Sequence, residues 1–266
     1  MSVRSTPVNG VDASHGAQTA GRAIQVLLTV AESDEPLGLS EISRRTGFNA
    51  SATYRLVGAL MRHSLLARDD DRRSYGPGGG LVALAAAVMS RVSVPQASIP
   101  AMERLRALTS ETVSLYVRDD RHRICVAVVE GLHPMRWVVP VGDRQPLSVG
   151  LTGKVILAFL PEAEIAAVLD SAGRDGVYRA RIASQLERVR EAGFLAEVGD
   201  RMAGVGGLSV PVFDASGVAA ALTISGPADR FTCDVAEQAA PAVVDEGAAI
   251  SAALGAAPAA ARTWNR

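Results

Sequence analysis

Lysine is almost missing from this sequence: Lys154 stands alone against 26 arginines in 266 residues. So lopsided a choice matches a GC-rich coding bias and selects no chemistry by itself. Cysteine is nearly as scarce. Cys125 and Cys233 lie far apart, with no second Cys or His at ligand spacing beside either. That excludes a disulfide framework and a cysteine-built metal site, and it predicts two buried thiols in a reducing compartment. Histidine occurs four times, at positions 15, 63, 122 and 133, scattered among ends and loops. No Gly-x-Ser-x-Gly, metal-spaced histidine set or paired-acid site accompanies them, so no catalytic residue, metal ligand or cofactor is assigned. Long apolar runs are absent too. The hydrophobic stretches are interrupted or Ala-rich, and no basic segment precedes an apolar one at the N-terminus, which predicts a cytoplasmic protein without a membrane span.

What is present suits a folded chain of two domains. Hydrophobic residues make up 48% and charged residues 21%, enough apolar material for two cores. Residues 1–16 and 258–266 are polar and turn-rich without periodicity, and they are read as flexible tails. The net charge of −1 argues against wholesale binding of polyanions, so any nucleic-acid contact must come from a local patch.

Such a patch is visible between residues 20 and 75. Ala20, Ala23, Ile24, Leu27, Leu28 and Ala31 have the spacing of a helix with one buried face. Pro36 and Gly38 interrupt, and Ser40 is placed to N-cap a short second helix ending near Thr46, with Gly47 as its left-handed stop. Asn49 or Ser51 then caps a third helix with Thr53, Leu56, Val57 and Leu60 inward and Ser51, Tyr54 and Arg55 outward. Two β-prone arms, Leu65–Arg68 and Arg73–Tyr75, flank a charged turn. Three helices and a hairpin make a winged helix-turn-helix, whose third helix fits a major groove about 12 Å wide. Ser51, Tyr54 and Arg55 are candidates for base edges. Arg22, Arg44, Arg45, Asn49, Arg72 and Arg73 are candidates for flanking phosphates, and the predicted partner is double-stranded DNA.

The rest reads as α+β with a largely antiparallel sheet flanked by helices. A helix is predicted from Pro100 to Thr109, then a strand through Val117, then a hairpin of "RICVAVVEG" and "MRWVVPVGD". "GKVILAFL" is helical, "SQLERVREAG" is a helix capped by its serine, "GGLSVPVFDASGVAAALTISG" is a hairpin, and a last helix covers Cys233–Leu254. "GLTGK" fails as a phosphate loop, because Ser148 and Val155 stand where that motif needs Gly and Ser or Thr. It still opens a helix, so Leu151, Thr152 and Gly153 can offer backbone N–H groups to a carboxylate. Lys154 itself is read as a surface cation or the partner of a nearby acid.

"AGRAIQVLLTVAE", "LSEISRRTGFNASATYRLVGAL", "PLSVGLTGKVILAFLP" and "GGLSVPVFDASGVAAALTISGPADRF" together resemble the IclR family of transcription regulators, across roughly residues 18–255. The resemblance implies a winged helix-turn-helix domain over 17–80, a linker helix over 81–93 and a GAF-like effector-binding and oligomerisation domain over 94–257. It implies a homodimer or dimer of dimers that represses or regulates an operon in response to a small organic effector, a carboxylate or aromatic acid. Carried over residue by residue, the effector site would comprise Leu151, Thr152, Glu197 in the loop after "REAG", Val205, Gly207, Thr223 and Ser225. Gly153 joins it as an anion-facing amide, and Asp200 is a second acid in the same loop. The family pattern has a lysine at position 50 and a threonine at 52, where this chain has Ala50 and Ala52. "YGPGGG" further predicts a shortened wing strand and a loose hinge. An enzyme with an accessory DNA-binding domain is the alternative reading, and a purely architectural DNA binder would not need the second domain.

Overall fold

The computed structural model describes residues 15–89, 93–173 and 176–256. Two compact units divide the chain at residues 91 and 92. The N-terminal unit holds α1 (His15–Ala31), β1 (Leu37–Gly38), α2 (Leu39–Thr46), α3 (Ala50–Arg62), β2 (Leu66–Asp69), β3 (Ser74–Pro77) and α4 (Gly79–Met89). Its core is Val26, Val30, Ile42, Leu56, Val57, Leu60, Leu66 and Tyr75. The spacing of α3 fits this burial residue for residue, with Thr53, Leu56, Val57 and Leu60 all inward. Asn49 is its N-cap, its Oδ1 accepting the Ala52 N–H at 2.8 Å.

Several expectations fail locally. The helix of α1 already begins at His15, inside the segment read as a tail; the rest of that tail and residues 258–266 lie outside the described residues. The inward face of α1 is turned in part from the predicted one: Ala23 and Leu27 pack against the core as expected, Val26 and Val30 are buried beside them, and Ile24 is 56% and Leu28 51% exposed. Two apolar stripes at helical spacing compete on this helix, and α2 and α3 cover only one. Ser40 does not cap α2, because the two-residue strand β1 pulls the helix start back and Gly38 is the N-cap. The wing is not shortened by Pro77, which sits at the strand end opposite Leu66, where a missing donor breaks no interior ladder. The hinge is tied as well. The Gly78 N–H donates to the Leu65 carbonyl at 2.9 Å and the Gly80 N–H to that of Ser64 at 2.8 Å. A Cβ on Gly78 would collide with the Ser64 backbone, so these glycines permit a close approach rather than loosening the chain.

The C-terminal unit is a six-stranded antiparallel sheet in the order β6-β5-β4-β9-β8-β7. Its elements are α5 (Ser93–Thr109), β4 (Thr112–Asp119), β5 (His122–Val129), β6 (Arg144–Pro146), α6 (Gly150–Leu157), α7 (Glu162–Ser171), α8 (Gly176–Ala192), β7 (Leu195–Val198), β8 (Val205–Asp214), β9 (Gly217–Pro227) and α9 (Cys233–Ala253). One face packs against α5 and α9 through Leu208, Val210, Leu222 and Ile224. The other packs against α6, α7 and α8 through Ala221, Val155, Ile156 and Leu186. Side chains of β9 alternate between the two faces of the sheet. Leu222 and Ile224 enter the α9 core, so Thr223 and Ser225 point to the α6 side. The hairpin of β8 and β9 turns where expected. Among the described residues no helix is long and apolar enough to cross a membrane.

Corrections here share one cause, tertiary context. Pro100 lies inside α5, not at its start. "MRWVVPVGD" forms no strand; it runs irregularly along β5, with the Gly142 N–H donating to the Cys125 carbonyl at 2.7 Å, and the partner of β5 in the hairpin is β4. Ser184 is internal to α8. The helix α7 and the short edge strands β6 and β7 are not among the predicted elements. Cys125 is buried, its thiol pushed up to about 12 by desolvation, while Cys233 is only half-buried.

Candidate functional site

In the N-terminal unit, α3 exposes what the spacing predicted. Ser51, Tyr54 and Arg55 are exposed, Tyr54 to 66%. Arg55 and Tyr54 share a surface hollow with Arg62 of α3 and Arg68 of the wing. Arg68 was not among the sequence candidates, since the pairing of β2 with β3 alone brings it beside α3. Arg72 and Arg73 lie in the exposed wing turn, Arg73 with a left-handed φ of 50°. The guanidinium of Arg22 sits 5.5 Å from the Phe48 ring centroid, which holds it beside the turn between α2 and α3.

Arg44 and Arg45 are less free than the sequence suggested. Arg44 donates to Glu41 through Nε at 2.8 Å and Nη2 at 2.6 Å, and Arg45 donates through Nε at 2.7 Å. The two hold the half-buried Glu41 carboxyl down at about 2. One acid thus offsets half of the positive charge on α2.

In the C-terminal unit a cleft with about 490 Å³ of empty space, counting the part open to solvent, lies over β4, β8 and β9 at the start of α6. Leu151, Thr152, Glu197, Val205, Thr223 and Ser225 line it, and Gly153 and Gly207 do not. A Cβ on Gly153 would strike the Leu147 carbonyl, so this glycine serves helix packing. Gly207 lies under Leu151, whose Cδ2 would be 2.6 Å from an added Cβ; it makes room for the wall instead of forming it. Glu197 is on β7, paired with Gly207, rather than in a loop. Thr152 and Thr223 meet through their hydroxyls at 3.1 Å, and Ser209 reaches Thr223 at 2.9 Å.

The charges around this cleft lie deeper than the sequence suggested. Lys154 is 1% exposed, no surface cation, and its Nζ lies 2.6 Å from Glu197 Oε2 and 3.0 Å from Asp200 Oδ2. Gln185 donates to the other Glu197 oxygen. Burial nevertheless raises the Glu197 pKa, with Lys154 opposing. Tyr116, Arg123, Trp137, Gly150, Arg201, Met202 and Gly206 also line the cleft and were missed. Arg123 lies on β5 in a run that alternates like any half-buried strand, and nothing local marks it as a buried charge.

Both halves match known domains. Residues 19–70 match the IclR helix-turn-helix domain and residues 86–252 the bacterial transcriptional regulator IclR C-terminal domain. The chain belongs to the IclR family of transcriptional regulators. It is a DNA-binding regulator, not an enzyme. Among its relatives is the HTH-type transcriptional repressor AllR of Escherichia coli K12, 28% identical over 91% of this chain and 92% of AllR. The crystal structure of Pseudomonas aeruginosa HmgR is 32% identical, covers 91% of this chain and 99% of its own, and superposes with a TM-score of 0.57. An IclR homologue of Microbacterium hydrocarbonoxydans complexed with 4-hydroxybenzoate shares the fold at a TM-score of 0.77, with 21% identity over 89% of this chain and 98% of its own. In this IclR-family chain Ala50 and Ala52 open α3, and their small side chains leave Ser51, Tyr54 and Arg55 as the polar groups of its first turn and a half.

Proposed function

We propose that this IclR-family protein is a repressor whose hold on operator DNA is set by a small organic acid bound in the C-terminal cleft. The carrying observation is the cleft itself, where a helix start, four hydroxyl-bearing side chains and both signs of charge converge. A regulator without a ligand would have no use for it. Leu151 and Thr152 stand in the first turn of α6, whose amides lack intrahelical acceptors and favour an anion. The repressor name of AllR and the organic acid bound to the Microbacterium homologue support the same reading.

DNA reading falls to Ser51, Tyr54 and Arg55 on α3, with its N-cap Asn49 and Arg22, Arg44, Arg45, Arg72 and Arg73 around it. The DNA-binding domain spans 17–80 and the effector domain 94–257, with α4, Gly79–Met89, serving as the linker helix. Ile24 and Leu28 on α1 and Val82 and Leu84 on α4 are exposed, and they suit association of two copies, as a homodimer or dimer of dimers in the cytoplasm. Paired recognition helices must then match half-sites about 34 Å apart, and a ligand that biases how the copies associate shifts the population that fits. The test is a footprint across the neighbouring intergenic DNA, with and without a panel of carboxylates and aromatic acids. Protection relieved by an acid supports the reading, and protection indifferent to the panel refutes it.

A further inference from the structure

Charge is distributed unevenly around the cleft. On one side lies Arg123, 2% exposed. Its Nη1 donates to the carbonyls of Pro146 at 2.6 Å and Val149 at 2.7 Å, and its Cζ sits 5.6 Å from the Tyr116 ring centroid. Its Nε is buried with no hydrogen-bond partner among the described residues. Asp143 and Asp200 attract it only from a distance, and burial lowers its pKa to about 10, so it remains a cation at neutral pH. On the other side one cation, Lys154, is shared by two carboxylates, Glu197 and Asp200. Arg188 also attracts Glu197 but makes no ion pair with it among the described residues, so the paired groups on that side carry a surplus negative charge. Arg201 leaves this balance unchanged, since its Nη2 lies 3.5 Å from Asp143 Oδ2.

A buried guanidinium without a counter-ion is costly, and an incoming carboxylate relieves that cost. A carboxylate brought against Glu197 and Asp200 meets the opposite situation, like charges in a poorly hydrated site. We propose that Arg123 anchors a single carboxylate of the effector and that the Lys154-held pair of Glu197 and Asp200 rejects a second one. The ligand is thus a monocarboxylate bearing a hydroxyl or ammonium donor toward that acid pair, whose remaining lone pairs accept it. This rests on the organic-acid reading above and narrows it to a charge pattern. Lys154 acts as a positioning residue, holding the acids in place without lining the cleft.

The experiment uses the full chain and two matched sets of probes: propionate, lactate and malonate, and benzoate, 4-hydroxybenzoate and terephthalate. Melting temperature and isothermal titration report binding to the parent protein, Arg123→Gln and Glu197→Gln. Expected for the parent is a melting shift with a hydroxy acid, a weaker one with its unhydroxylated partner and none with the dicarboxylate. Arg123→Gln weakens the hydroxy acid by about tenfold or more, as loss of a charge-assisted bidentate contact implies. Glu197→Gln gains binding of the dicarboxylate, an outcome that stands even if Arg123→Gln fails to fold. A dicarboxylate that binds the parent as tightly as the hydroxy acid, or an unchanged Kd in folded Arg123→Gln, overturns the inference and leaves an organic-acid site standing. If none of the six acids binds the parent, the organic-acid reading falls and takes the inference with it.

Discussion

Replacing Lys154 by methionine keeps the length of the side chain and deletes its charge. Lys154 is 1% exposed, with carboxylate oxygens 2.6 and 3.0 Å from its Nζ. Removing one partner of a buried ion pair strands the other, which costs about 3–5 kcal/mol. For a unit of this size that corresponds to a fall in Tm of roughly 6–20 °C. Protonation limits the loss. Burial already raises the pKa of Glu197 from its ordinary 4.5, and without Lys154 it rises further. Between the unfolded and folded values the folded chain holds a proton that the unfolded chain has released, so stability increases as pH falls. The variant should therefore recover part of its Tm on acidification from neutral toward the ordinary range of glutamate. Calorimetry at several pH values reads this directly, and adding Glu197→Gln and Asp200→Asn should restore most of the stability. A Tm within about 2 °C of the parent at neutral pH, with no acid-side recovery, would refute the assignment of Lys154 as a buried counter-ion.

The geometry implies three further outcomes. Glu41→Gln should release Arg44 and Arg45, tightening operator binding and steepening the salt dependence by about 0.9 in log–log slope per phosphate gained; an unchanged slope in gel-shift titrations would remove both arginines from the interface. Arg55→Ala should weaken operator binding by about 1–3 kcal/mol while leaving ligand-induced melting shifts intact, and equal damage to both would contradict separate sites. Gly78→Ala places a Cβ against the Ser64 backbone and should destabilise the N-terminal unit by about 1–3 kcal/mol, measured by urea denaturation; a neutral effect would show that the wing and α4 are not tied as described.

Legibility varied with how local the cause was. The inward face of the third helix was readable to the residue and its cap narrowed to Asn49 or Ser51, of which Asn49 caps it, because cap and apolar spacing come from the same short stretch. The first helix was not: both of its stripes satisfy the period, and only the placement of α2 and α3 decides between Ile24 with Leu28 and Val26 with Val30. Ser40 and Ser184 are good caps in isolation, overridden by a two-residue strand in one case and by a longer helix in the other. Six of the seven cleft residues implied by family resemblance converge in the structure; Gly207, the seventh, makes space for Leu151, and Gly153, offered for its amide at the helix start, serves helix packing instead.

By itself the sequence determined the order of helices and hairpin in the N-terminal unit, the capped and outward-facing third helix, the strand period that turns Thr223 and Ser225 to one side, and the absence of any catalytic or metal-binding motif. Those properties depend on neighbours within a few positions. The sign and depth of the charges in the cleft were decided by the fold alone. Lys154 lies on α6, Glu197 on β7 with Asp200 in the loop after it, and Arg123 on β5. Whether an arginine is a hydrated surface group or a desolvated anchor depends on what is packed over it, and no local pattern carries that information.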